Sequence, residues 1–78
     1  MKNVEIYGRP ACIFCKRAVA LCESNSIKYT YYQLGEDYEM KDLWEKVKFR
    51  TYPQIFIDGK AVGGFTDFEK IHLQEGLS

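Results

Sequence analysis

The sequence has no long apolar run. Although 46% of its residues are hydrophobic, nowhere do they approach the ~18 in succession that a membrane span needs. Near the start, Val4, Ile6 and Tyr7 are interrupted by polar residues, so no apolar core of a secretory signal forms there. Charge of one sign is missing too, because eleven basic residues cancel eleven acidic ones. A dedicated nucleic-acid binder carries a basic excess, so neither nucleic acid nor membrane is expected as a partner. Cysteine is sparse and odd in number, at three, which does not suit the disulfide framework of a small secreted domain. No internal repeat, low-complexity tract or linker interrupts the 78 residues, so a single domain spanning 1–78 is expected. These absences together predict a reducing, cytoplasmic setting.

What is present is a clear alternation of elements. Asn3 to Tyr7 alternates polar and apolar residues and predicts a strand, which Gly8, Arg9 and Pro10 end. From about Cys12 to Glu23 the period changes: Cys15, Ala18, Val19 and Cys22 recur at i, i+3, i+4 and i+7, one inward stripe of a helix. Ser24, Asn25 and Ser26 close it. Ile27 to Leu34 is aromatic and β-branched, a second strand, broken by Gly35. Asp37 is placed to cap a second helix over roughly Tyr38 to Lys48, with Met40, Leu43, Trp44 and Val47 as its stripe. Thr51-Tyr52-Pro53 stops helical structure, since the residue before proline is pushed out of the α region. Gln54 to Ile57 and Lys60 to Val62 flank Asp58-Gly59, the signal of a hairpin turn. Thr66 and Glu69 have the spacing of a capping box, which predicts a last helix running to about Glu75 and stopping at Gly76. The order is β-α-β-α-β-β-α, an α/β fold. Its first β-α-β is a right-handed parallel unit and its last two strands are antiparallel, giving a mixed four-stranded sheet covered by three helices.

Cys12 and Cys15 are the residues that carry chemistry. The reactive form of cysteine is the thiolate, and Cys12 falls where a helix begins. A helix start offers unbonded N–H groups and about half a positive charge, both of which favour an anion, and Arg9 and Lys16 add positive charge nearby. Cys15, one turn further, lies on the inward stripe and is expected to be more buried and less acidic. Two cysteines at this spacing can exchange between dithiol and disulfide: Cys12 attacks a substrate disulfide, and Cys15 then attacks Cys12 to release the product. A zinc site built from Cys12, Cys15, Cys22 and His72 fails on distance. Seven residues of helix separate Cys15 from Cys22 by ~10 Å of rise, too far for both sulfurs to reach one ion at ~2.3 Å. No metal is expected, and Cys22 is read as a small core residue.

The Cys12–Cys15 motif, Thr51-Tyr52-Pro53 and Gly63-Gly64-Phe65-Thr66-Asp67, in this order, resemble the glutaredoxin family. The likeness runs nearly end to end, through the opening Val4-Glu5-Ile6-Tyr7 and Pro53-Gln54-Ile55-Phe56-Ile57. It implies a thioredoxin-like fold with glutathione as cosubstrate, and a cis bond before Pro53 beside the cysteines. It also implies that the backbone of Tyr52 pairs with the glutathione cysteinyl group in the manner of an added strand, and that Arg9 reaches the glycyl carboxylate. Phe14 and Thr51 fall in the matching motifs. Independently of the family, Thr66 and Asp67 open a helix, so their N–H groups can hold a carboxylate. Asp67 can pair with an adjacent ammonium, and Gly63 and Gly64 permit close backbone approach. The chain departs from the common dithiol pattern in two places. Ile13-Phe14 stands where many members have Pro-Tyr, keeping an aromatic face without the hydroxyl, and Tyr52 replaces a commoner valine.

The resulting expectation is a monomeric, glutathione-dependent oxidoreductase that reduces protein disulfides through Cys12 and Cys15, and glutathionyl mixed disulfides through Cys12. Ribonucleotide reductase is one candidate partner. Two alternatives share the fold. One is a redoxin-type electron donor to ribonucleotide reductase, recharged by thioredoxin reductase. The other is an iron–sulfur cluster carrier. A pure interaction module leaves the placement of Cys12 without a purpose.

Overall fold

The computed structural model describes residues 2–76; Met1 and residues 77 and 78 of the expected domain lie outside the described residues. The order is β1 (Val4–Gly8), α1 (Ile13–Ser24), β2 (Tyr29–Gln33), α2 (Met40–Trp44), β3 (Gln54–Ile57), β4 (Lys60–Gly63) and α3 (Phe65–Glu75). The four strands form one sheet in the order β2-β1-β3-β4. β1 runs parallel to β2, with Val4 opposite Tyr29, and antiparallel to β3, with Val4 opposite Ile57. The mixed α/β architecture therefore stands as the hydrophobic pattern predicts.

Alternation decides which face is which. Val4 and Ile6 point to one side of β1 and are fully buried. There they join Ala18 and Cys22 of α1, Ile55 and Ile57 of β3 and Phe68 of α3 in the main core. Tyr7 points to the other side, where it stacks on Tyr32 at 4.7 Å and meets Phe56 and Tyr38 edge-on. The short α2 borders this second face, with Leu43 buried and sharing a cleft with Tyr7 and Tyr38. Asp58 and Gly59 both adopt positive φ, 51° and 84°, the backbone that a two-residue hairpin turn demands.

Three expected boundaries are corrected. β2 begins at Tyr29, not Ile27. Ser26 turns left-handed at φ 56°, and the Ile27 N–H returns to the Cys22 carbonyl at 2.8 Å, so Ile27 closes the end of α1 while still packing in the core. α2 covers Met40–Trp44 instead of Tyr38 to Lys48. Tyr38 is held in a bridge to Leu34, and beyond Trp44 the chain turns toward the loop that carries Thr51. Met40, expected on the inward stripe, is exposed. α3 is capped from Gly64, with only the Asp67 side chain reaching back, and not by a Thr66–Glu69 capping box. Asp67 accepts from the Gly64 N–H at 3.2 Å, so α3 starts two residues earlier than the Thr-x-x-Glu pattern implies.

Gly8 ends β1 for a steric reason. A Cβ there would collide with the phenol of Tyr31, with its ring carbons only 2.8 Å away. Overfilling a packed site costs about 1–3 kcal/mol. Gly8→Ala is therefore expected to lower unfolding free energy by about that amount, read as a lower urea midpoint at unchanged slope.

Candidate active site

Two sulfur atoms sit where β1 hands over to α1. Ala11 stands in the left-handed region at φ 58°, a conformation that costs an L-residue roughly 1–2 kcal/mol, and it turns the chain into the helix. Cys12 follows as the N-cap, extended at φ −100° and ψ 110°. The first N–H groups of a helix have no intrahelical acceptor, and an N-cap side chain supplies one. Here the acceptor is the Cys12 Sγ, which receives the Cys15 N–H at 3.3 Å. The first turn carries no acidic side chain, so no carboxylate there opposes negative charge on that sulfur.

The cysteines differ in burial as the stripe predicts. Cys12 is 7% exposed and Cys15 1%. Burial pushes the Cys15 thiol up to about 12. Its hydrogen bond with Cys12 adds to the rise, and the Arg9 backbone opposes it. Cys22 is pushed up to about 11, by burial first and by the neighbouring Glu23 second, and it packs in the core. All three are free thiols. Among the described residues no group of three or more histidine, cysteine or carboxylate side chains is placed to hold a metal ion.

The sheet register brings the second motif to the same end of the molecule. Gln54 pairs with Tyr7, so Pro53 arrives opposite the end of β1, from which Arg9 and Cys12 depart. The Tyr52–Pro53 bond is cis and Pro53 is fully buried. Arg9 lays its guanidinium over the Tyr52 ring at 5.8 Å, and Trp44 flanks that ring at 5.3 Å. The Tyr52 hydroxyl is buried beside that of Tyr38, which itself donates to the Gly8 carbonyl at 2.8 Å.

The third motif completes a groove of about 580 Å³ in which Thr51, Gly63, Gly64 and Asp67 face Lys46 and Lys48. Of the two glycines, Gly63 is the constrained one. Its φ is +117°, and a Cβ there would strike the Asp67 carboxylate. Gly64 lies close to the Pro53 carbonyl, but a Cβ would make only an ordinary contact at 3.6 Å. Thr66 and Asp67 are exposed in the first turn of α3. Phe14 is half exposed, tilted against Phe65 at 6.1 Å and covered by the Arg17 guanidinium at 5.1 Å.

Sequence reasoning overlooked Gln54. Its side chain is 3% exposed, and Nε2 donates to the carbonyls of Phe49 and Thr51 at 2.7 and 2.8 Å, with Thr51 Oγ1 at 3.2 Å. Buried polar groups must be paired, and this amide pins the loop that leads into Pro53. The available signal was a lone amide heading the otherwise apolar run Gln54 to Ile57.

The glutaredoxin family model matches residues 4–62 of the chain. The chain belongs to the glutaredoxin family. Over 80 aligned residues this glutaredoxin is 41% identical to a glutaredoxin of Haemophilus influenzae, with 92% of each chain covered. It is 33% identical to glutaredoxin 3 of Escherichia coli, across 99% of this chain and 94% of that one. The solution structure of reduced Escherichia coli glutaredoxin matches with a TM-score of 0.81 at 33% identity, covering 94% of this chain and 95% of the other. The thioredoxin-like fold and thiol–disulfide oxidoreductase chemistry follow from that membership.

Burial of the two inner thiols makes stability depend on pH. An unfolded cysteine titrates near ~8.5, whereas Cys15 and Cys22 hold their protons up to about 12 and about 11. Between those values the folded glutaredoxin binds more protons than the unfolded chain. The stabilisation is therefore complete below ~8.5 and lost as pH rises through the folded values. The urea midpoint of the reduced chain is expected to fall progressively between pH 8.5 and 11; a flat midpoint across that range contradicts the assignment.

Proposed function

We propose that this glutaredoxin reduces disulfides with glutathione as the reductant, using Cys12 as nucleophile and Cys15 as resolving thiol. The observation that carries the reading is the N–H of Cys15 directed at the Cys12 Sγ. A donor on the sulfur stabilises it as an anion, both when it attacks and when it later leaves. In the first step the Cys12 thiolate attacks one sulfur of the substrate disulfide, and the other sulfur departs with the bonding electrons. Cys15 then loses its proton and attacks Cys12, releasing the reduced substrate and closing a Cys12–Cys15 disulfide. Glutathione reopens it by the same exchange in reverse.

The groove at Thr51, Gly64 and Asp67, lined also by Lys46 and Lys48, suits a short anionic peptide. The free backbone of Tyr52, ahead of Pro53, can pair with an extended cysteinyl unit. The first-turn N–H groups at Thr66 and Asp67 suit an α-carboxylate, and Asp67 suits the adjacent ammonium. Arg9 supplies positive charge for the far carboxylate, Thr51 and Gly64 line the groove, and Phe14 stands outside that lining, packed on Phe65. Protein disulfides and glutathionylated proteins are the substrate class, and ribonucleotide reductase belongs to it. This chemistry belongs in a reducing cytoplasm.

Cys12→Ser is expected to drop both dithiol reduction and deglutathionylation to the uncatalysed rate. Cys15→Ser is expected to lose dithiol reduction and keep deglutathionylation. Both are read by following glutathione consumption with a disulfide protein and with a glutathionylated peptide. Retained activity in the Cys12 variant contradicts the mechanism. Turnover supported by thioredoxin reductase but not by glutathione contradicts the choice of reductant.

A further inference from the structure

We propose that two copies of this chain pair edge to edge through β2, forming a two-fold dimer in place of the monomer expected from the sequence. The surface involved shares no residue with the proposed glutathione groove. Of the active-site residues only Cys15 borders it, so the inference stands apart from the choice of reductant.

β2 is an end strand of the sheet, and an edge strand presents N–H and C=O groups that lack partners. The ladder to β1 uses every second residue. The Lys28 carbonyl accepts from the Val4 N–H at 3.4 Å, and the Leu34 N–H donates to the Gly8 carbonyl at 3.0 Å. The backbones of Thr30 and Tyr32 therefore also turn toward β1, and those of Tyr29, Tyr31 and Gln33 turn outward. Gln33 is already satisfied. Its N–H donates to Asp37 Oδ2 at 2.7 Å, and its carbonyl accepts from the Asp37 N–H at 2.8 Å. What is left is the N–H and C=O of Tyr29 and of Tyr31. The strand Tyr29–Gln33 carries no proline, glycine or charge, the devices that normally keep an edge from pairing.

These four groups select one register. In an antiparallel pair, opposed residues exchange both backbone bonds at alternate positions. With Thr30 on the two-fold axis, Tyr29 of each copy meets Tyr31 of the other, and all four groups are used. Centring Tyr31 or Tyr29 instead would call on Gln33 or Ile27, whose N–H groups are already bonded. Thr30 is exposed. On the axis it meets its own copy in a non-hydrogen-bonded pair, where side chains come closest, and a threonine pair there is favourable.

The helix above the strand has the same symmetry. α1 packs on β1 and β2. With Tyr29 and Tyr31 it bounds a groove of about 390 Å³, to which it contributes Lys16, Val19, Ala20 and Glu23. These recur at i, i+3, i+4 and i+7, one stripe of the helix, beside the core stripe of Cys15, Ala18 and Cys22. Joining the β2 strands antiparallel lays the two copies of α1 antiparallel on the same side of the sheet. A strand spacing of ~4.8 Å sets them about two spacings apart, ~10 Å, where helices pack. Lys16 then faces Glu23 of the other copy and Val19 faces Ala20, each twice. Both charged residues are exposed. Glu23 holds the Tyr29 hydroxyl on Oε2 at 3.1 Å and keeps its other oxygen for the lysine. A stripe that reads positive, apolar, apolar, negative is complementary to its own inverse, which selects a second copy over a foreign strand.

One strand and one helix face per copy make a small interface. The sedimentation coefficient of the reduced full chain is therefore expected to rise from monomer toward dimer over roughly 10 µM to 1 mM. Reductant is kept present so that no intermolecular disulfide contributes. Thr30→Lys sets two like charges on the axis and is expected to stay monomeric throughout. Lys16→Glu and Glu23→Lys are each expected to weaken association about tenfold, since the two-fold doubles every substitution. The double exchange is expected to restore it. Thermal unfolding of each variant, at a concentration where the parent is monomeric, separates lost association from lost fold. A parent that stays monomeric across the range overturns the inference and leaves the edge to a strand of another protein. A dimer that survives Thr30→Lys, or single reversals that the double exchange does not rescue, overturns it as well.

Discussion

An N–H in the first turn of a helix has no carbonyl of its own to bond, and in this chain one of them finds a sulfur. The bond from Cys15 N–H to Cys12 Sγ makes Cys12 the structural cap of α1, and in the proposed chemistry the same sulfur is the nucleophile. The two roles reinforce each other, because the electrostatics that favour an acceptor at a helix start favour a negative charge there. It also fixes the division of labour. The residue that supplies the N–H is the one whose own side chain turns inward and is buried. One backbone donor therefore links the sulfur proposed as nucleophile to the deeper, protonated thiol of Cys15.

The remaining site is arranged around that point by the sheet. β1 delivers Arg9 to Cys12, and β3, antiparallel to it, begins where Pro53 ends the loop pinned by Gln54. β4 then carries the chain to Gly63 and Gly64, which open α3 beside the Pro53 carbonyl. Three stretches far apart in sequence thus converge because the strands on which they depend are hydrogen-bonded neighbours. Tyr52 is held between Arg9 and Trp44, which ties the basic side chain to the proline loop.

Much of this was legible in the residues. The period change at Cys12 located the helix start, and of the four stripe positions it named, Cys15, Ala18 and Cys22 are buried while Val19 is only partly buried against the core. Asp58-Gly59 announced its turn because few residue pairs tolerate two positive φ values. The misreadings share a cause: they depend on a tertiary partner that no local pattern displays. Thr66 and Glu69 matched a capping box, but a glycine N-cap leaves no side-chain signature, and the Asp67 carboxylate bonded Gly64 instead. The stripe from Met40 to Val47 suggested a longer helix, but the Gln54 amide draws the following loop toward β3. Gly8 read simply as a strand end, because its reason lies in Tyr31 across the sheet.

The most direct test of the central claim is to ask which sulfur reacts first. The reduced chain is treated with less than one equivalent of oxidised glutathione, quenched in acid and mapped by peptide mass spectrometry. The account predicts glutathione on Cys12, together with a Cys12–Cys15 disulfide and an unmodified Cys22. Glutathione on Cys15 or Cys22 with Cys12 still free would contradict it.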